Sequence, residues 1–270
     1  MIGEPESRNY KPLIGIAGAV VVIAAGVWYY FHSRHAPAPP PPPPAAATAE
    51  QPQEPAIQHP LPGGGGANTG PLPALNDSDA SLKDALDPVL GTSAIKDYLV
   101  PENIVRRLVV TIDNLPRQKV AVQKRPVNPV AGAFEAEGDE QHATLDARNF
   151  ARYRPLVGVI ANLDVRQIVA VYQHFYPLFQ QSYQDLGYPN GYFNDRLVQA
   201  IDSLLATPKP QGSIDLTRPN VMYVFADPAL EALPAGQKLL LRMGPENAAV
   251  IKSKLTELRA AVTALPPPKK

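Results

Sequence analysis

The apolar residues of this chain fall into three regions with different patterns. Residues 12–31 are apolar and carry no charge, whereas residues 32–71 are rich in proline, alanine and glycine and have no periodic apolar positions. Residues 72–265 carry apolar side chains at intervals of three and four, which predicts helices with one buried face. We therefore predict a short tail (1–11), an anchor, a linker, a globular domain and a second tail (266–270).

The first region has the length and composition of a membrane-spanning helix. At about 1.5 Å per residue, residues 12–31 would cover about 30 Å, the thickness of a hydrocarbon core. Trp28 and the two tyrosines after it lie at one end, where aromatic rings favour the membrane interface. A cleaved signal peptide is the alternative, but it would end in small residues rather than these bulky ones. We predict a single permanent anchor.

The basic residues beside the anchor predict its orientation. Arg8 and Lys11 precede the span and Arg34 follows it, and basic residues favour the cytoplasmic side. The N-terminus is therefore expected in the cytoplasm and the globular domain outside it.

The second region cannot form a core and reads as a disordered linker over residues 32–71. Its proline run favours extended polyproline II, so residues 37–62 could span roughly 80 Å. Gly63 to Gly66 add flexibility; without a following Lys-Ser/Thr pair they do not make a phosphate-binding loop.

The third region predicts a mainly α domain of about seven helices with a minor β element. Residues 76–79 offer caps for a first helix that ends near Gly91, and further helices are expected from Ser93 and from just after Pro101. Residues 149–160 form another helix, and two long ones are expected over residues 229–243 and 245–262. Four short strands are expected in "AFEAEG", "ATLD", "SIDL" and "VMYVFAD".

Five aromatic residues fall on a helix that begins after the capping residue Asp164. Aromatic side chains recur at intervals of three and four through Tyr183, which predicts that they are buried. Pro177 predicts a kink or a new helix start. Gly187 is expected to end this helix, and Asn194 to cap the next one after a turn in "YPNGYF".

The candidate chemistry is sparse. With 25 basic and 25 acidic residues the chain is neutral, which argues against nucleic acid as a partner, and with no cysteine it has no disulfide or thiolate metal site. Neither a His-x-x-x-His pair nor a Gly-x-Ser-x-Gly motif occurs, and we expect no metal, cofactor or catalytic serine. Asp113, Asp195 and Asp202 leave open an acid/base pair.

Two features are candidates for contact with a partner. Aromatic residues in a Pro/Gly turn have no periodic reason for burial, and paired arginines can bind carboxylate or phosphate groups. Exposed helix faces and internal ion pairs are the simpler interpretation of the arginines. The candidate residues are Tyr188, Tyr192, Phe193, Asn194, Asp195, Arg196, Arg106 and Arg107.

Four long blocks carry a resemblance to a known family: "LVPENIVRRLVVTIDNLPR", "NFARYRPLV", "YPLFQQSYQDLGYPNGYFNDRLVQAIDSLLATP" and "FADPALEALPAGQKLLLRMGPENA". They resemble the bacterial family named domain of unknown function 3014, over about residues 72–262. The resemblance implies a Gram-negative bacterial protein with one N-terminal anchor, a proline-rich linker and a mostly helical outer domain. It implies no activity, ligand or catalytic residue.

The leading hypothesis is a bitopic inner-membrane protein that displays a periplasmic binding or scaffolding domain. Its expected partners are the membrane and an envelope protein or anionic polymer. One alternative is an envelope-acting hydrolase that uses two carboxylates, and another is a membrane-anchored module that self-associates.

Overall fold

The computed structural model describes residues 56–61, 71–139 and 142–264. The predicted anchor, both predicted tails and most of the linker lie outside these residues. Among the described helices, none is by itself long and apolar enough to cross a membrane; residues 148–161 and 165–185 meet that test only as a pair bent by 79°.

The domain is mainly α, as predicted, with nine α-helices in the described residues rather than about seven. The helices are α1 (Asp79–Leu90), α2 (Thr92–Tyr98), α3 (Ile104–Asn114), α4 (Arg148–Ala161), α5 (Val165–Asp185), α6 (Phe193–Leu205), α7 (Pro228–Glu231), α8 (Ala235–Met243) and α9 (Pro245–Thr263). Two short 3₁₀ helices cover Leu75–Asp77 and Val122–Lys124.

The single helix predicted over residues 229–243 is wrong, because the chain forms α7 and α8 there. Asp227 caps α7 by accepting a hydrogen bond from the amide of Ala229 (2.8 Å). Pro234 has no amide hydrogen to continue α7, and its extended conformation precedes the first residue of α8. The two helices remain linked, since Lys238 donates a hydrogen bond to the Glu231 carboxylate (2.7 Å).

The four predicted strands form one antiparallel sheet in the order β1-β2-β3-β4. The strands are β1 (Ala136–Glu137), β2 (Ala143–Leu145), β3 (Asp215–Thr217) and β4 (Val224–Phe225). Ala143 pairs with Leu216, so the sheet joins parts of the chain on either side of α4, α5 and α6. Leu145, Leu216 and Phe225 are buried on one face, where they form a small core with Leu241 of α8.

Helix α5 supplies much of the main core. Phe175, Tyr176, Phe179 and Tyr183 are all buried, which confirms the prediction made from their spacing. The helix continues through Pro177, so a new helix does not start there. Pro177 itself is exposed, and the buried side chains around it hold both halves of the helix against the same core.

Helices α3, α5 and α6 pack together around the main core. Ile104, Val105 and Val109 of α3 are buried in the same core as the aromatic face of α5. The C-terminal helix α9 packs against α4, α5 and α6. The loop between α5 and α6 is therefore held at both of its ends by helices that pack against each other, against α3 and against α9.

Candidate binding cleft

The loop between α5 and α6 is held in a defined shape by local contacts. Gly187, in the left-handed region at φ 110°, ends α5 as predicted. The amide of Gly191 then donates a hydrogen bond to the carbonyl of Tyr188 (2.9 Å), which closes the predicted turn. Gln180 fixes the turn from α5: its side chain donates to the Gly191 carbonyl (2.7 Å) and accepts from the Phe193 amide (2.9 Å).

Aromatic stacking attaches the same loop to the core. The rings of Tyr183 and Tyr188 stack with centroids 4.6 Å apart, and those of Phe179 and Phe193 stack at 5.7 Å. A Cβ at Gly191 would lie 2.8 Å from Tyr183, so only glycine permits this close approach of the loop. The loop is therefore packed closely against the aromatic face of α5.

A buried carboxylate anchors two arginines beside this loop. Asp113 of α3 is only 4% exposed, and its side chain accepts hydrogen bonds from Arg196 Nε (3.0 Å) and Arg117 Nη2 (3.2 Å). The same Arg117 nitrogen donates to the Tyr188 hydroxyl (2.5 Å). Hydrogen bonding to Asp113 raises the pKa of Arg117. Two guanidinium groups face one carboxylate, so the cluster has a net positive charge, and the Arg117 side chain is 48% exposed.

A piece of the predicted linker, residues 56–61, lies against this surface; we call it the docked segment. Asp195 accepts hydrogen bonds from the backbone amides of Gln58 (3.0 Å) and His59 (2.7 Å). The Tyr192 hydroxyl accepts one from the Leu61 amide (2.5 Å). Leu61 is 3% exposed and belongs to the main core. The boundary predicted at residue 72 therefore leaves out a segment that packs on the domain.

Two predicted candidates hold this surface in place from the interior. Phe193 and Asn194 have no exposed surface with the docked segment in place, and Phe193 belongs to the main core. The prediction that Asn194 caps α6 is wrong, because Tyr192 occupies the cap position and Asn194 lies in the first turn. The side-chain Nδ2 of Asn194 instead donates hydrogen bonds to the backbone carbonyls of His59 (2.9 Å) and Val262 (3.3 Å). These bonds tie the docked segment to α9.

The remaining loop candidates lie together in one cleft of about 810 Å³, which we call the tyrosine cleft. Its lining includes Tyr188, Tyr192, Asp195 and Arg196, together with residues that the sequence did not single out for binding. The latter include Arg117, Tyr183, Gln199 and part of the docked segment. Arg117 follows the last residue of α3 by three positions, and its four-residue separation from Asp113 is the only signal for it in the sequence.

Comparison with known proteins identifies the family. The model of the family described as protein of unknown function (DUF3014) matches residues 104–259. The chain belongs to this family. No curated protein and no solved structure matches the chain.

The matched region contains the whole tyrosine cleft apart from the docked segment. It begins at the first residue of α3 and ends within α9, and so includes Asp113, Arg117 and the loop from Gly187 to Arg196. The family is predicted correctly from the sequence blocks. Its description assigns no activity.

Arg106 and Arg107 lie elsewhere, in a depression of about 250 Å³ that shares no lining residue with the tyrosine cleft. Arg106 forms an ion pair with Asp185 (3.0 Å). Arg107 donates to the carbonyls of Glu102 (2.8 Å) and Gln123 (3.0 Å). Both arginines thus make the internal contacts that the simpler interpretation predicts.

The three carboxylates considered for acid/base chemistry are all bound by donors. Asp113 bonds two arginines, Asp195 bonds two backbone amides, and Asp202 bonds Arg259 through both oxygens (2.5 and 3.1 Å). Across the described ranges, no group of three or more His, Cys, Asp or Glu residues is placed to hold a metal ion. Each of the three carboxylates therefore already has a donor in the described structure.

Proposed function

We propose that this protein is a membrane-tethered binding module whose tyrosine cleft takes an extended polypeptide segment of a partner. The observation that carries the proposal is the docked segment itself. Asp195, Tyr192 and Asn194 bind its backbone amides and carbonyl. Because these groups occur in every polypeptide, the same side chains can bind another extended chain.

The cleft also offers the two elements from which peptide sites gain selectivity. Leu61 of the docked segment is buried among the side chains of the main core, so a large aliphatic side chain is the expected anchor of a ligand. The half-exposed Arg117 lies at the other side of the turn, next to Tyr188. Its guanidinium would favour a ligand with a carboxylate, either an acidic side chain or a chain terminus.

The proposed tether is the uncharged stretch 12–31, with Arg8 and Lys11 on the cytoplasmic side and the domain in the periplasm of a Gram-negative bacterium. The test is a pair of reporters fused after Lys270, one active only in the cytoplasm and one active only outside it. Activity of the external reporter alone is expected. Activity of the cytoplasmic reporter alone would overturn the topology and leave the binding surface untouched.

The binding surface is tested by crosslinking in cells from the full chain. In a chain whose residues 56–61 are replaced by a Gly-Ser segment of equal length, a photoreactive amino acid at position 188 should form an adduct with a second polypeptide, and adding Asp195→Ala should reduce that adduct. The matched control carries the same photoreactive group at Val221, which is 76% exposed and does not line the cleft. No adduct from position 188, or one that Asp195→Ala does not change, would contradict the proposal. An adduct between two copies of this chain would identify the partner as the chain itself.

A further inference from the structure

A second cavity, of about 450 Å³, lies between the sheet and the last two helices and shares no residue with the tyrosine cleft. It is walled by β2, the segment leading to β3, α8 and the first turns of α9. Leu145, Phe150, Ile214 and Leu240 make its lining largely apolar. Its volume lies in the range of about 300–1,000 Å³ that small-molecule sites occupy. We call it the lysine cavity.

One wall of this cavity depends on a glycine. Gly244, between α8 and α9, adopts φ 84°, and a Cβ there would lie 2.5 Å from the Phe150 ring. The Asn247 side chain holds the same corner by donating to the carbonyls of Phe150 (2.9 Å) and Met243 (2.7 Å). The apolar wall is thus fixed by close packing and backbone contacts.

Two lysines line the cavity and, among the residues that the structure describes, have no acidic partner. Lys252 of α9 is partly buried, and its ammonium group donates to the Thr207 carbonyl (2.6 Å). Among the described residues, no carboxylate lies within 4.0 Å of Lys252 or of the exposed Lys209. Burial, together with the charge of Lys209, lowers the pKa of Lys252. With Glu137 also on the lining, the cavity has a net charge of about +1.

We propose that the lysine cavity binds an aliphatic carboxylate, with the alkyl chain against Leu145, Phe150 and Leu240 and the carboxylate at Lys252 and Lys209. An apolar wall favours removal of the chain from water. An ammonium group without a carboxylate partner gains a charge-assisted hydrogen bond from the head group. This site is independent of the tyrosine cleft.

The test is equilibrium dialysis of labelled octanoate against the full chain in lipid nanodiscs, with empty nanodiscs as background. Octanoate should bind the chain above background, octanol more weakly, and butyrate, which has too short a chain, not measurably. Lys252→Met and Lys209→Met should each weaken octanoate binding, and the double variant about tenfold or more, because a hydrogen bond to a charged group is lost. Octanol binding should change little in the same variants.

A blocking variant keeps the test decisive if Lys252→Met does not fold. Ala249 is exposed on α9 and lines the cavity, so Ala249→Trp should fill the cavity and abolish octanoate binding. Ala260→Trp is the matched control, since Ala260 is exposed on the same helix and does not line the cavity. Absence of octanoate binding, or binding that survives Ala249→Trp, would overturn the site. Equal binding of octanol and octanoate would overturn the role of the lysines.

Discussion

Removal of the Asp195 carboxylate should release the docked segment while the domain stays folded. Asp195→Ala eliminates the acceptor of the hydrogen bonds from the amides of Gln58 and His59. A hydrogen bond to a charged group contributes about 1.5–3 kcal/mol. The Gln58 bond is solvent-exposed and therefore weaker, so the two together are expected to contribute about 2–3 kcal/mol. That free energy corresponds to a roughly 30- to 150-fold change in the opening equilibrium of the segment.

Such a change is large relative to the stability of the segment. Ordering each residue costs about 1–2 kcal/mol of backbone entropy, and the docked segment offsets that cost with a few hydrogen bonds and one buried leucine. Hydrogen exchange of the full chain, followed by mass spectrometry or NMR, measures the effect. In Asp195→Ala the amides of Gln58, His59 and Leu61 should exchange at the rate of an unstructured peptide.

The control for this experiment is Asp202→Ala on the same helix. Asp202 lines the tyrosine cleft but bonds Arg259 rather than the docked segment, so protection of residues 58–61 should be retained. Asp195 also lies in the first turn of α6, where its charge favours the helix by about 0.3–1 kcal/mol. Protection within α6 should therefore fall by less than about fivefold. Unchanged protection of the docked segment, or an equal loss in α6, would refute the reasoning.

Three further variants test the packing and the electrostatics. Asp113→Ala should destabilise the domain by about 2–4 kcal/mol, because two arginines lose a buried partner. Chemical denaturation followed by circular dichroism measures this change. The control is Asp185→Ala at an exposed ion pair, which should change stability by less than about 1 kcal/mol. Gly244→Ala should lower the melting temperature, because Gly244 has a positive φ and an added Cβ would collide with the Phe150 ring. Gly158→Ala, at a helix position with open space around it, should raise the melting temperature. Equal changes in both variants would contradict the predicted collision with Phe150. Despite desolvation, which raises it, the pKa of Glu231 is lowered by its bonds to Lys238 and the Phe225 amide. The ionised Glu231 carboxylate therefore stabilises the fold above its unfolded-state pKa of about 4.5, and this stabilisation is lost as the pH falls through the lower folded-state pKa. The stability of Glu231→Gln should decline less on acidification than that of the unaltered chain. Parallel declines would disprove that role.

The elements that the sequence predicts well are those specified by neighbours along the chain. The start of α5 follows from Asp164, whose side chain accepts a hydrogen bond from the Arg166 amide (2.9 Å), and its buried face follows from aromatic spacing. The turn after Gly187 is likewise local, because glycine is needed at its positive φ. Local chemistry is sufficient for such features.

The parts that the sequence does not reveal depend on residues distant along the chain. Asp113 and Arg196 are 83 positions apart, and Asn194 meets His59 and Val262 across 135 and 68 positions. No spacing rule signals such contacts. Asn194 is buried instead of capping α6 because tertiary packing brings distant hydrogen-bond partners to its side chain.

The docked segment shows why a linker composition conceals a contact. Proline and glycine on both sides of residues 56–61 indicate an extended chain without a core of its own. Apart from proline, Ile57 and Leu61 are the only apolar residues larger than alanine within residues 32–71. Of the two, only Leu61 is buried, and only it packs with the side chains of the main core.

The central claim, that the tyrosine cleft binds an extended polypeptide, is tested most directly with a labelled peptide of residues 54–62. Its affinity is measured by fluorescence anisotropy for the full chain and for a chain whose residues 56–61 are replaced by a Gly-Ser segment of equal length. The replaced chain should bind the peptide at least about tenfold more tightly, because its cleft is no longer occupied, and adding Asp195→Ala should weaken that binding by roughly 30-fold or more. Equal affinity for both chains, or binding insensitive to Asp195→Ala, would contradict the claim.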